Sequence, residues 1–444
     1  SEHFCFQYPG SNKYMNAQNG KVAFWSDNDQ GSTMWVTERD LTGATELQAY
    51  IDEVEAMIET GVAADDAVGY VSFYSLTEVG IALTAAKKAV ESKEGCVDAL
   101  QELQAAVNAI ETIQPEEGEF YIISSAMLSE DSRSGKRVYV NNTAGMQFWN
   151  EDAISNVFQF VSDGNEDDDY EMFYLKSVER GTYVSTANTH AGGQVIAEAT
   201  EITDAKPIAI ANMGRANVVS LIPQGGAMIH AQEAYSYVVA WNNTDNEGAS
   251  AWIITKVDIA DYAHTLTVDE SGWASLVLGY NATIPSNVKV YTVSSVGENV
   301  ANLTEVTGVI PANEPVLVNA AAGNYDFYYT EAEQSELNNL LEGTIFDTNI
   351  PLNAYVLSTK NDVFGFYKAM LNQENNTAFK NNALKAYLPT TSEARFLNIN
   401  FDTETGINSV DVVNGKAEVY DLSGRRVKKV QKGLYIINGI KVVK

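Results

Sequence analysis

Three tryptophans in this chain run straight into short amides and carboxylates: FWSDND at Phe24 to Asp29, FWNED at Phe148 to Asp152, and AWNNTDN at Ala240 to Asn246. That combination suits a sugar ring. An indole plane stacks on the apolar C–H face of a pyranose, while Asn and Asp side chains offer donors and acceptors to its hydroxyls. The candidate contacts are Trp25 with Asp27 and Asn28, Trp149 with Asn150 and Asp152, and Trp241 with Asn242 and Asp245. A plainer reading competes, in which each Trp closes a hairpin and the Asn and Asp residues form Asx-turns. Successive side chains of a strand point to opposite faces. Val22 and Phe24, Met146 and Phe148, and Val238 and Ala240 therefore share apolar faces, while the indoles share mixed ones with Ala23, Gln147 and Val239. This places the tryptophans at a rim.

Other chemistry is thinly represented. His3, His190, His230 and His264 are scattered and fit no HExxH-type ligand spacing. With Cys5 and Cys96 as the only cysteines, there is no disulfide framework and no CxxC metal site. The pair is either one bridge formed in an oxidising compartment or two buried thiols acting as small hydrophobes. The acidic run DGNEDDDYE, Asp163 to Glu171, offers a weak Ca²⁺ option. EF-hand order fails there, because Asp168 stands at the sixth position and Tyr174 at the twelfth, so a solvated acidic loop is favoured. GxSxG elbows, Cys–His signatures and glycine-rich phosphate loops are missing. Paired carboxylates of a glycoside hydrolase depend on separation in space, which leaves that reading third in rank. No cofactor is expected, and the chain is read as non-catalytic.

Charge narrows the partners. The 444 residues carry 28 Lys and Arg against 59 Asp and Glu, a net charge of −31, which speaks against nucleic acid or an anionic bilayer. No apolar run approaches the ~18 residues of a membrane span, and the given sequence opens on SEHFCFQ rather than on a basic segment followed by an apolar one. A soluble or already processed chain of two to four domains is expected.

The pattern divides into five segments. Residues 1–43 read as β, with strands at FCFQ, KYMN, VAFW and MWVT. Residues 44–115 turn helical, over LQAYIDEVEAMIE, SLTEVGIALTAAKKAV and CVDALQELQAAVNAIETI. A three-helix bundle would close on Leu47, Ile51, Val54, Ile58, Val79, Leu83, Val90, Leu100, Leu103, Val107 and Ile110, with Pro115 ending the last helix. Residues 116–260 return to β and repeat: RVYVN, TYVST and AMIHA place Tyr139, Tyr183 and Ile229 at separations of 44 and 46. Each unit opens on an apolar run (FYIIS, MFYLK, VVSLI) and closes on another (VFQF, PIAI, AWII). Three four-stranded units make a β-trefoil, and residues 1–43 with Tyr14, Trp25 and Trp35 read as a fourth copy. Residues 261–404 show short strands between Pro, Asn and Gly turns, a β-sandwich. Residues 405–444 form a small β module with eight basic and three acidic residues.

Four resemblances follow from these phrases. The helical segment, with its AxxAxxAV spacing and Tyr70 in the linker, resembles the FIVAR-type modules between domains of bacterial surface proteins; a plain spacer is the other reading. The repeats resemble ricin-type β-trefoil lectins, although the Gln-x-Trp signature is replaced by Ser-Thr-Met-Trp at 32 to 35, Asn-Val-Phe at 156 to 158 and Ser-Ala-Trp at 250 to 252. The order WASL, IPANEPVLV, AYVLS, GFYKA, NALKAYLP is similar to an accessory domain of secreted proteins from gut-type Gram-negative bacteria. VYDLSGRRV and KGLYIINGIKVVK resemble the C-terminal sorting tail of type IX secretion substrates.

The expectation is thus a mainly β, multidomain chain with a β-trefoil-like domain, a three-helix bundle as insert or spacer, a β-sandwich and a small β C-terminal module. The resemblances imply a secreted or cell-surface protein that binds host or dietary polysaccharide through the trefoil and meets secretion machinery through its tail. A structural or protein-binding adhesin stalk is the alternative, and in either case the chain is a whole protein or the non-catalytic C-terminal part of a larger secreted enzyme or adhesin.

Overall fold

The computed structural model describes residues 3–26, 35–36, 42–59, 61–65, 67–149, 153–165, 171–185, 192–225, 227–241, 248–350, 353–360, 363–369, 379–401, 419–420, 426–427, 434–437 and 440–443. It divides into two compact units, 1–263 and 264–444. The chain is mainly β and multidomain, and none of the described helices is long and apolar enough to cross a membrane.

The first unit begins with four strands, β1 (His3–Phe4), β2 (Tyr14–Gln18), β3 (Lys21–Trp25) and β4 (Trp35–Val36). FCFQ was expected to be a full strand, but β1 keeps only its Phe4. Hairpin β2–β3 pairs Tyr14 with Trp25 and Met15 with Phe24. Its apolar face departs from expectation, because Val22 and Phe24 are both exposed.

Helices α1 (Ala44–Glu59), α2 (Phe73–Ser92) and α3 (Cys96–Asn108) follow. Ser72 caps α2 by accepting a 3.1 Å bond from the Ser75 amide, satisfying one of its unpaired N-terminal donors. All eleven seam residues pack in one core: Leu47, Ile51, Val54, Val79 and Leu103 are buried, and the other six lie against them. Ala86, Cys96 and Ala99 complete it. No disulfide joins Cys5 to Cys96, and Cys5 is exposed where a buried thiol was expected. Cys96 is buried and contacts the Ala89 carbonyl at 3.3 Å, so it packs as a small hydrophobe.

Helix α3 stops at Asn108, seven residues before Pro115. The reason is tertiary: Ile113 donates to the Tyr70 carbonyl at 2.8 Å, Gly69 donates to Ile113 at 3.0 Å and Ser72 donates to Glu111 at 3.1 Å. These bonds take the backbone groups that another helical turn would use.

Twelve strands follow in three sets of four: β5 (Tyr121–Ser125), β6 (Arg137–Val140), β7 (Met146–Trp149) and β8 (Val157–Ser162); β9 (Met172–Ser177), β10 (Tyr183–Ser185), β11 (Ile196–Ala199) and β12 (Ile208–Arg215); β13 (Val218–Pro223), β14 (Met228–Ala231), β15 (Val238–Trp241) and β16 (Trp252–Lys256). First and fourth strands form a closed ring, β5–β8–β9–β12–β13–β16 and back to β5. Second and third strands form hairpins, which meet through bridges Gly145–Ile196, Gln147–Tyr237 and Gln194–Val239. A six-stranded barrel capped by a triplet of hairpins is a β-trefoil. Closure leaves the ring no unpaired edge. Tyr121, Phe158, Phe160, Phe173 and Trp252 of the ring strands and Phe148 of the first hairpin are fully buried, each worth roughly 1.5–3 kcal/mol or more of transfer free energy. The Trp252 indole N–H reaches the Ile229 carbonyl at 2.9 Å.

The second unit holds β17 (Ala263–Val268), β18 (Trp273–Leu276), β19 (Ala282–Thr283), β20 (Lys289–Val296), β21 (Val300–Val306), β22 (Val309–Ile310), β23 (Val316–Asn319), β24 (Gly323–Tyr328), β25 (Glu342–Thr344), β26 (Thr348–Ile350), β27 (Ala354–Lys360), β28 (Val363–Lys368), β29 (Phe379–Asn381), β30 (Lys385–Pro389) and β31 (Phe396–Phe401). Nine of them run in the order β18-β23-β20-β21-β31-β28-β27-β30-β25. The halves of this sheet face each other across one core, with Tyr291, Val293, Leu303 and Leu317 from one side and Tyr355, Phe366, Leu388 and Leu397 from the other. It is a sandwich whose far ends are also joined, since Val277 donates to Leu384 at 3.3 Å and Ala386 donates to the Ser275 hydroxyl at 3.1 Å. A three-stranded antiparallel sheet, β32 (Val419–Tyr420), β33 (Leu434–Ile437) and β34 (Ile440–Val443), forms the C-terminal module.

Candidate functional site

Hairpin register decides where the tryptophans stand. Trp149 pairs with Arg137 at the open end of β6–β7, and Trp241 pairs with Met228 at the open end of β14–β15. The matching residue of the middle hairpin is Ala199, opposite Tyr183 and buried. Phe148 and Ala240, one residue earlier, point inward and are buried; Trp149 and Trp241 point outward and are 51% and 40% exposed. The rim position expected from strand alternation therefore holds for both. On the face of the third hairpin Val239 is fully buried, because a bridge to Gln194 covers it.

Around Trp149 the outward face of the first hairpin carries Arg137 and Tyr139 from β6 and Gln147 from β7, since cross-strand partners share a side. The Tyr139 hydroxyl donates to Gln147 Oε1 at 2.8 Å and Asn141 Nδ2 does so at 3.2 Å. The Gln147 amide in turn donates to the Tyr235 carbonyl at 3.3 Å. The Lys136 ammonium lies 4.8 Å from the Trp149 ring centroid, a cation–π contact that fixes the indole from one side. Tyr235 brings a further exposed ring, stacked on Tyr237 at 5.5 Å. It holds a left-handed backbone, φ 63°, as does Ser236 at φ 55°, a strained arrangement for non-glycine residues.

Around Trp241 the backing group is the imidazole of His230, stacked at 5.7 Å with planes 25° apart. His230 Nδ1 and Ser250 Oγ are 2.9 Å apart. Burial, with the nearby Arg133 guanidinium adding to it, holds the imidazole below its ordinary pKa. Arg133 is itself gripped by Asp131 through two 2.8 Å bonds and donates to the Ala231 carbonyl at 2.8 Å.

The remaining candidates fare differently. Trp25 is exposed at the end of β3, but on a hairpin outside the closed trefoil. Asp27, Asn28, Asn150, Asp152, Asn242 and Asp245 lie outside the described residues, so the structure does not test their placing beside the indoles. In the acidic run, the Asn165 amide donates to Asp163 Oδ1 at 3.1 Å, an Asx-turn; residues 166–170 lie outside the described set. Among the described residues no group of three or more His, Cys, Asp or Glu stands where it could hold a metal ion. Sequence reasoning placed Gln147 on the Trp149 face but did not mark Lys136, Tyr139, His230 or Tyr235 as site residues. Lys136 precedes β6 with no signal of its own, Tyr235 reaches Gln147 from 88 residues further along the chain, and His230 meets Trp241 only through the register of the β14–β15 hairpin.

No protein-family model matches the chain, and no curated protein does. Among solved structures, the Polyporus squamosus lectin bound to a human-type influenza-binding epitope is similar over 34% of this chain and 51% of its own, at 17% identity and a TM-score of 0.27. The GlcNAcα1-4Gal releasing endo-β-galactosidase from Clostridium perfringens is similar over 33% of this chain and 34% of its own, at 16% identity and a TM-score of 0.26. The BEL β-trefoil aligns over 32% of this chain and 96% of its own, at 13% identity and a TM-score of 0.26. The chain thus spans about half the length of the first of these. The trefoil of the present chain stands on its own closed ring of hydrogen bonds.

Proposed function

We propose that the chain is a non-catalytic carbohydrate-binding protein that presents Trp149 and Trp241 to sugar rings at two rim sites of its trefoil. The observation that carries this is the register: both indoles occupy the same hairpin position, about half exposed, one beside the Lys136 ammonium and the other stacked on the His230 imidazole. A half-open indole held from behind suits the face of a pyranose. At Trp149 the flanking Arg137, Tyr139 and Gln147 supply hydroxyl partners. Two weak sites on one molecule gain avidity on a polymer through effective concentration. Host or dietary polysaccharide is the ligand class we favour.

The test is a glycan array followed by calorimetry on the full chain. Binding should fall at least tenfold in Trp149→Ala or Trp241→Ala and vanish in the double variant, with melting temperature unchanged. A double variant that binds as the wild type does would overturn the reading.

We further read the protein as secreted or displayed at the surface, with a FIVAR-like bundle as spacer and the C-terminal module as a handle for type IX export. Support comes from the phrases VYDLSGRRV and KGLYIINGIKVVK and from the basic character of this module on an acidic body. Deleting residues 406–444 should trap the protein inside the cell, and unaltered export of the truncated chain would refute the handle.

A further inference from the structure

The second unit contains a cavity of about 790 Å³ that the trefoil reading does not use. One wall is aromatic: Trp273 and Phe364 stack at 5.1 Å with planes 20° apart, and Tyr367 and Phe379 line the cavity beside them. Ser271, Ser275, Ser358, Thr359 and Asn382 also line it. In a chain of net charge −31, the described part of the lining is rich in lysine, with Lys360, Lys368, Lys380 and Lys385 against one carboxylate, Asp269.

These ammonium groups are unequally engaged. Lys380 pairs with Asp347 at 2.7 Å, and Lys368 lies 3.8 Å from the exposed Glu393. Lys360 sits over the Tyr367 ring at 5.0 Å. Lys385 is half-buried on β30 and reaches the Ser275 carbonyl at 3.4 Å, with no carboxylate within ion-pair distance among the described residues. Burial holds its pKa below the ordinary lysine value. A desolvated cation facing a cavity is stabilised by an incoming anion, through a charge-assisted hydrogen bond.

We propose that this cavity is a second binding site, for an anionic saccharide whose rings carry carboxylate or sulfate groups. The aromatic wall takes the apolar ring faces, the serine and threonine hydroxyls take sugar hydroxyls, and Lys385 with Lys360 takes the anion. An acidic peptide fits less well. β27 is already paired on both sides, with β28 and β30, and β18 is held by β23 and by the bonds to residues 384–386. Among the described residues, the edges of β18 and β27 at the cavity are thus closed to a peptide backbone.

The experiment is calorimetry on the full chain with tetragalacturonate, a chondroitin sulfate tetrasaccharide, neutral maltotetraose and hexaglutamate. At least one of the two anionic saccharides should bind, more weakly as salt rises, and the neutral sugar should bind at least tenfold less well. Lys385→Gln should weaken the anionic saccharide at least tenfold and Lys385→Arg should restore most of it, while the exposed Lys360→Gln should produce a smaller loss. The Trp149→Ala, Trp241→Ala double variant should bind the anion as the wild type does, which separates this site from the trefoil sites. The proposal is overturned if neither anionic saccharide binds, if maltotetraose or hexaglutamate binds as tightly, or if Lys385→Gln and Lys360→Gln both leave binding unchanged.

Discussion

The His230 imidazole, stacked under Trp241 and packed against Ser250 and Arg133, takes up a proton less readily than a free histidine. The folded state therefore binds fewer protons than the unfolded chain just below pH ~6.5, so stability falls as pH drops through that value and towards the depressed folded pKa. An NMR titration should place His230 below 6.5, and Trp241 fluorescence should change with the same midpoint. A titration at or above 6.5 would mean that the stack does not form. Asp131 shifts stability in the same direction for a different reason, because here it is the charged form that the fold favours. The Arg133 guanidinium beside it lowers its pKa from 3.8 to about 2, so its contribution is present above pH ~4 and lost as pH falls through about 2. Urea midpoints of the wild type and of Asp131→Asn should differ at pH 6 and converge near pH 2. At this scale the sequence showed the indoles but not their supports: alternation alone turns Trp149 outward, whereas His230 meets Trp241 through a diagonal contact that depends on the register of another strand.

Two hairpins with the same register make a controlled pair at the scale of elements. Phe24 on β3 and Phe148 on β7 each precede the rim tryptophan and pair across to the second residue of the opposite strand, yet they are 55% and 1% exposed. Phe148→Ala should cost about 3–5 kcal/mol, and Phe24→Ala under about 0.5 kcal/mol, both read from denaturant midpoints. Equal costs would show that the first hairpin is packed in solution. Repeat spacing revealed both hairpins, but not that only one has two sister hairpins to cover it. The end of α3 was hidden for a similar reason: amphipathic spacing continues through Ile110, and the bonds that stop the helix come from residues 69 to 72. Gly69 anchors that strap. It sits at φ +86° with the Asn217 carbonyl 2.9 Å from where a Cβ would stand, so Gly69→Ala should destabilise the first unit by about 1–3 kcal/mol. A melt unchanged from the wild type would show that the strap is loose.

Within the first unit, the trefoil ring draws its strands from residues 121–256 alone. A fragment of residues 116–260 is expected to fold by itself with one cooperative transition and a near-ultraviolet circular dichroism signal from buried Trp252; a fragment without that signal would tie the trefoil to the helices before it. Whole-molecule organisation was legible where local texture repeats, as in RVYVN, TYVST and AMIHA. It was not legible where a site is assembled from distant strands: Trp273, Lys360 and Lys385 come from three strands spread over more than a hundred residues, and no local pattern marks them as neighbours.

The ring closes by pairing β5 with β16, Tyr121 with Lys256 and Ser125 with Trp252. The first staves of this barrel thus leave the ribosome well before the last one exists. At synthesis rates of roughly 5–20 residues per second, Tyr121 waits on the order of ten seconds for its neighbour, while the local contacts of α1 to α3 need far less than a second to form. A nascent chain therefore carries a finished helical bundle ahead of an open, strand-rich segment, and that interval is when a chaperone would have most to shield.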